Sequence, residues 1–199
     1  MPEVIPAIGR LLRSSTTGYV FGCAATEPSM PRFGDFVKAP AQRGQITVIG
    51  LVYDIVIEDD AFVRQMVASR DLDEAYILDQ RENRQVPIEV SVLSIGYIAG
   101  AGAVNCGLPP LPPVTLDGIH PCSPDEMAGC TASFEYLRLI LNNPDVPADE
   151  LIVVSLAQAA AARPPDDRAP FRRRAGRELA HLLNRDLPRL EALLRRIRP

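Results

Sequence analysis

The sequence predicts an α+β fold: a small N-terminal β-barrel of about six strands with a helical insertion, followed by a C-terminal helical segment. Three observations carry this. β-Branched and aromatic residues between turn signals fill residues 5–57 and end in the apolar run "ITVIGLVYDI" at 46–55. Strand character returns at "QVPIEVSVLSIGYIAG" after a charged interval. From Ser123 onward the apolar residues recur at helical spacing. These patterns place a barrel at 1–127, with a helical excursion over about 60–84, and an α-helical region at 128–199 that ends in an arginine-rich amphipathic helix.

Taken in order, "IPAIGRLLRSSTTGYVFGCAA" at 5–25 reads as two strands joined by the polar "RSSTTG". "TEPSMPRFGD" is turn chemistry, with two prolines and then Gly34-Asp35. "FVKAP" is a short strand stopped by Pro40, and "AQRG" turns the chain into the longest strand, "QITVIGLVYDIVI". That strand is apolar on both faces, so it must be covered on both sides or curl into a closed barrel. Gly50 in its middle marks a bulge or bend. In the excursion, Phe62, Met66 and Val67 share one helical face, and Asp71 with Glu74 resembles a capping box.

"GLPPLPPV" at 107–114 reads as a rigid connector laid across the barrel, in preference to a PxxP ligand, with "VTLDGI" forming a further strand. Ser123, Pro124, Asp125 and Glu126 are an N-cap, a first-turn proline and first-turn acids. The helix they open is expected to run to Asn142 or Asn143 before Pro144. "PADELIVVSLAQAAAA" is a second helix and "RPPDDRAP" a linker or sharp turn. In the tail, Phe171, Ala175, Leu179 and Leu182, then Leu190, Leu194 and Ile197, form an apolar stripe. Pro188 breaks it near Asp186, which caps the resumed helix.

Charge is uneven. Residues 163–199 hold eleven arginines against five acids, +6, so the remainder carries −10 of the net −4. Such a division suggests an interaction segment, unless the tail folds back and its arginines pair with the body. Arg172, Arg173, Arg174, Arg177, Arg195, Arg196 and Arg198 are the candidate contacts to a partner or to phosphate. The leucine stripe asks for an apolar partner surface and the acidic body repels DNA, so a protein partner or self-association is favoured over nucleic acid.

Catalytic constellations are not legible. No phosphate-binding loop surrounds Lys38, the only lysine, and "GAGAVNCG" lacks dinucleotide spacing. Cys106, His120, Cys122 and Cys130 fit no standard zinc pattern, so Cys23 and these three read as free thiols. His120 and Cys122 flank a proline, a poor geometry for a nucleophile pair, and His181 reads as a helix-surface residue. The acidic pairs Asp59–Asp60, Asp125–Glu126, Asp149–Glu150 and Asp166–Asp167 sit where helix starts and turns favour acids. The expectation is a non-enzymatic protein with no cofactor or metal; the alternatives are a nucleic-acid-binding module that uses the arginine-rich C-terminal helix and an enzyme of unrecognised type. Its N-terminus has no signal-peptide pattern and no apolar run approaches the ~20 residues of a membrane helix, which places it in the cytoplasm.

Gly9, "VFG" at 20–22, Gly34-Asp35 with Val37, "VIGLV" at 48–52, "VLSIGY" at 92–97 and Pro109 to Pro113 occur in an order that resembles the HAS barrel. That is the small β-barrel named for HerA-type DNA-translocating ATPases and ATP synthase subunits. The resemblance spans residues 5–127. It implies a barrel used for assembly, since such barrels sit at one end of hexameric rings and hold subunits or accessory proteins together. In HerA-type proteins a P-loop ATPase domain follows the barrel; here helices follow, so no catalytic residue carries over. The implied partners are an ATPase or nuclease of DNA processing, or further copies of the chain.

Overall fold

The computed structural model of the chain describes residues 6–24, 30–57, 87–100 and 102–198. The expected helical excursion at 60–84, including its capping box, lies outside the described residues. Among the described residues the strands are β1 (Gly9–Ser14), β2 (Gly18–Ala24), β3 (Phe36–Ala41), β4 (Ile46–Ile57), β5 (Pro87–Ala99), β6 (Ala103–Cys106) and β7 (Gly118–Pro121), and the α-helices are α1 (Pro124–Cys130), α2 (Tyr136–Leu141), α3 (Ala148–Ala161), α4 (Pro165–Leu182) and α5 (Leu187–Ile197).

Six of the strands close a fully antiparallel barrel in the order β1-β7-β3-β4-β5-β2, with β2 and β1 paired to complete the ring. β6 lies outside the ring, paired to the last residues of β5. The two-faced apolar run of β4 is explained by what covers it. Ile46, Val48 and Val52 point into the barrel beside Leu11, Tyr19, Phe21, Ile88, Val90, Val92 and Ile119. Ile49 and Leu51 point outward with Phe36, Leu93 and Ile95, beneath the helices. The helices and the outer barrel wall therefore share one continuous apolar core.

Gly34 and Asp35 form the corner where α3 meets the barrel. Gly34 has φ +86°, which favours glycine, and an added Cβ would lie 2.3 Å from Val154 Cγ1. Its N–H donates to Val52 O at 2.8 Å. Asp35 accepts from the Arg32 N–H at 2.9 Å and from Gln158 Nε2 at 3.2 Å. The turn thus fixes both the strand register and the seat of α3.

Several elements differ from the sequence reading. β5, at 13 residues, outruns β4 at 12, because it pairs with β2, β4 and β6 in turn. β3 continues through Pro40 to Ala41; β7 accompanies it only at Val37 and Lys38, so Pro40 has the one-sided setting that proline tolerates. Val114–Asp117 is a turn, closed by Asp117 N–H to Val114 O at 3.2 Å, and β7 starts only at Gly118.

The helix opened by Ser123 does not reach Asn142. It stops at Cys130 and resumes at Tyr136, with Phe134 at φ +59° between. Tertiary packing wins over local propensity there: the break lets the Phe134 ring lie 5.1 Å from the Phe171 ring and leaves the Ala128 carbonyl oxygen to Arg163. "RPPDDRAP" is mostly helix rather than linker. Pro165 takes the first helical position, where its missing N–H is harmless, and only 162–164 turn. Asp186 accepts from the Arg189 N–H and caps α5. Leu193, not Leu194, is the more buried of the two leucines.

Candidate functional site

The arginine-rich tail is folded onto the body. Phe171, Ala175 and Leu179 of α4, with Leu190, Leu193 and Ile197 of α5, are buried in the core shared with α3. Two arginines of α5 pair with acids of α3: Arg189 Nη2 lies 2.7 Å from Asp149 Oδ1, and Arg196 forms a two-pronged contact with Glu150. Among the proposed contact residues, Arg174 lies 3.7 Å from Asp167, and Arg195 donates to Glu191 O at 3.4 Å. Arg172, Arg173, Arg177 and Arg198 make no ion pair among the described residues. The apolar surface that the stripe asked for is supplied by the chain's own helices.

Arg163 lies in the interior, 6% exposed. Its guanidinium donates to Ala159 O at 2.5 Å, Ala128 O at 3.1 Å and Thr131 Oγ1 at 2.9 Å, and stacks 3.8 Å above the Phe171 ring. Burial pulls its pKa down while Asp167, 3.6 Å away, opposes that shift. It ties α1, α3 and α4 together.

Lys38 is a structural cation. Its Nζ lies 2.6 Å from Glu126 Oε1 and 2.8 Å from Oε2. Glu126 also accepts the Ser123 N–H at 2.7 Å, closing a capping box at the start of α1. Burial alone would raise the Glu126 pKa, but Lys38 and the Ser123 N–H outweigh it and hold the carboxyl below its ordinary value. A depressed carboxyl adds stability above its unfolded pKa, and that stability is lost as pH falls through the folded one. Glu126→Gln is therefore expected to lower stability by about 1–2 kcal/mol at neutral pH, with the deficit shrinking as pH falls below the ordinary glutamate pKa and vanishing once Glu126 is protonated in the folded state. Urea unfolding of both proteins across that pH range checks this; a deficit that persists in acid contradicts it.

The four cysteines are free thiols. Burial, and then Cys106 nearby, pushes Cys130 up to about 12, and burial raises Cys122 further above its ordinary value. Cys106 Sγ lies 3.1 Å from Ser133 Oγ. His120 pairs with Lys38 across β7 and β3, and His181 is exposed on α4. Among the described residues, no three of His, Cys, Asp and Glu gather as metal ligands, and no helix is long and apolar enough to cross a membrane. Of the acidic pairs, Asp149–Glu150 serves α5, Glu126 serves the cap and Asp167 serves Arg163 and Arg174. Asp59–Asp60 lies outside the described residues.

The feature that the sequence reading missed is apolar. On the connector from β6 to β7, Leu108, Leu111, Val114 and Leu116 stand 45%, 54%, 56% and 70% exposed. Pro109 and Pro113 are buried beneath them. The strap is pinned to β1: Ser14 Oγ donates to Pro113 O at 2.7 Å, the Leu116 N–H to Leu11 O at 2.8 Å, and the Leu11 N–H to Asp117 O at 3.0 Å. It bends at Pro110 and Leu111, so it is not the straight extended rod that a PxxP ligand presents. The signal was present in four large apolar residues among prolines, where no helical or strand period can turn them all inward.

No protein-family model matches the chain, and no curated protein matches it.

Proposed function

We propose that the chain works by contact rather than by catalysis: a barrel that holds a partner protein, or another copy of itself, through the strap between β6 and β7. The observation that carries the reading is the succession of Leu108, Leu111, Val114 and Leu116 along one connector, each exposed on a backbone that prolines and three hydrogen bonds hold in place. Contiguous exposed apolar side chains on a rigid frame mark interaction sites, and little ordering entropy remains to be lost on binding. The HAS-type resemblance supports the same reading, since its proline-rich connector occupies this position. An ATPase or nuclease of DNA processing is the partner class it implies, in the cytoplasm.

The test is capture of tagged protein from native lysate at moderate salt with nuclease treatment, for the wild type and for Leu111→Glu/Leu116→Glu. Both sites are exposed, so the variant should melt within about 1 °C of the wild type. The expected result is a near-stoichiometric protein, or a defined oligomer in light scattering, that the double substitution abolishes. A monomer recovered alone with both proteins contradicts the proposal.

A further inference from the structure

The structure removes the main argument against a phosphate-binding role for the tail. The leucine stripe that called for a protein partner is buried against α3 and the barrel wall. What α4 and α5 present to solvent is polar and mostly basic: Arg173, Arg174, Arg177, Arg195 and Arg196 are exposed, against the exposed acids Asp166 and Glu191. On α4, the buried residues Phe171, Ala175 and Leu179 define one side of the helix. At 100° per residue, Arg173 and Arg177 fall on the opposite side, with Arg172 at the flank. The turn at 183–186 makes α4 and α5 antiparallel neighbours, and an added Cβ on Gly176 would lie 3.2 Å from Leu194 Cδ2. Each step back along α4 from Gly176 then matches a step forward along α5 from Leu194. Arg172 and Arg173 accordingly reach the same end of the pair as Arg198.

We infer that Arg172, Arg173, Arg177 and Arg198 form a face that binds the phosphodiester backbone of nucleic acid without reading its sequence. None of the four makes an ion pair among the described residues; of the first-turn acids of α4, Asp167 is held by Arg163 and Arg174, and Asp166 lies on the same side as Arg173 but about two turns away. Like charges one helical turn apart repel, so Arg173 and Arg177 gain from an external anion. Arginine suits phosphate because its planar fork makes two parallel hydrogen bonds and never loses its charge. An acidic peptide is the weaker fit. Peptide docking takes its affinity from buried apolar anchors, and the leucines of this face are turned inward. Backbone binding needs charge alone.

The probe is a short fluorescent single-stranded DNA of mixed sequence, titrated with the full chain and followed by anisotropy. Three to four neutralised phosphates give a slope of log affinity against log salt of about −2 to −3. Between about 50 and about 200 mM salt the affinity then falls roughly 15- to 60-fold. Arg172→Gln/Arg173→Gln/Arg198→Gln should reduce that slope to about −1 or less, while Arg189→Gln, whose guanidinium is engaged with Asp149, should leave it unchanged. Three results overturn the inference: no binding at low salt, a slope that survives the triple substitution, or displacement of the DNA by polyglutamate as effectively as by unlabelled DNA. The last would assign the face to an acidic protein. None of these results depends on the strap, so the face and the contact proposal fail separately.

Discussion

Arg163→Met is expected to destabilise the protein by about 3 kcal/mol, a drop of about 6–12 °C in melting temperature for a chain of this size. Methionine fills comparable volume and keeps the contact with Phe171, so the loss is polar. The Ala128 carbonyl and the Thr131 hydroxyl each lose a charged donor in a water-poor interior, at about 1–3 kcal/mol apiece. Asp167 is not the source of the cost, because it is 45% exposed and water can take over its charge. Arg163→Lys should recover less than half of the loss, since an ammonium cannot reach three acceptors in one plane. Thermal unfolding followed by far-ultraviolet circular dichroism decides it. Melting of the methionine variant within about 2 °C of wild type would mean that Arg163 is not the tie between α1, α3 and α4.

Gly50 marks the other large effect. Its added Cβ would lie 2.3 Å from Val92 Cγ1 and 2.8 Å from the Leu93 carbonyl oxygen, with Tyr19 Oη at 3.2 Å. Val92 can change rotamer, but the carbonyl belongs to the strand paired with β4 and cannot retreat without opening the barrel. Gly50→Ala should cost about 2–3 kcal/mol and Gly50→Val should prevent barrel closure. Urea denaturation gives the first value, and near-ultraviolet circular dichroism with size exclusion reports the second. An alanine variant within about 0.5 kcal/mol of wild type would show that the barrel wall gives way at this point.

Gly50 also shows how far sequence reasoning reached. A glycine inside an apolar run signals a bulge, and a bulge is present, but its extra residue is Ile95 on the facing strand. The reason for glycine is the approach of β5 inside a narrow barrel, which no local pattern encodes. The barrel itself was legible, because an apolar run on both faces has few solutions and strands punctuated by turns suggest closure. Gly34-Asp35 was legible as a corner, but not as the seat of α3, since Val154 and Gln158 lie more than a hundred residues away. The α1–α2 break was hidden because Thr131 to Glu135 carry no proline or glycine; Phe134 takes φ +59° for the sake of contacts made by Phe171 and Arg163. The tail was legible as amphipathic and arginine-rich. Its partner was not, because amphipathicity states that a face must be covered without stating by what. The same limit applies to the strap: composition marked it as rigid, while the outward set of Leu108, Leu111, Val114 and Leu116 follows from the burial of Pro109 and Pro113.

The arginine face of α4 and α5 exists only if the leucines of α5 are covered by the chain itself. Hydrogen exchange at the α5 amides, read by nuclear magnetic resonance on the intact chain, tests it most directly. If α5 is docked, Leu193 and Leu194 exchange as slowly as Leu156 and Ala159 of α3, through the same global opening that exposes β4. Exchange of α5 at the rate of an unstructured peptide, with α3 protected, would mean that the leucine stripe is available to a partner and that the tail, not the strap, is where contact begins.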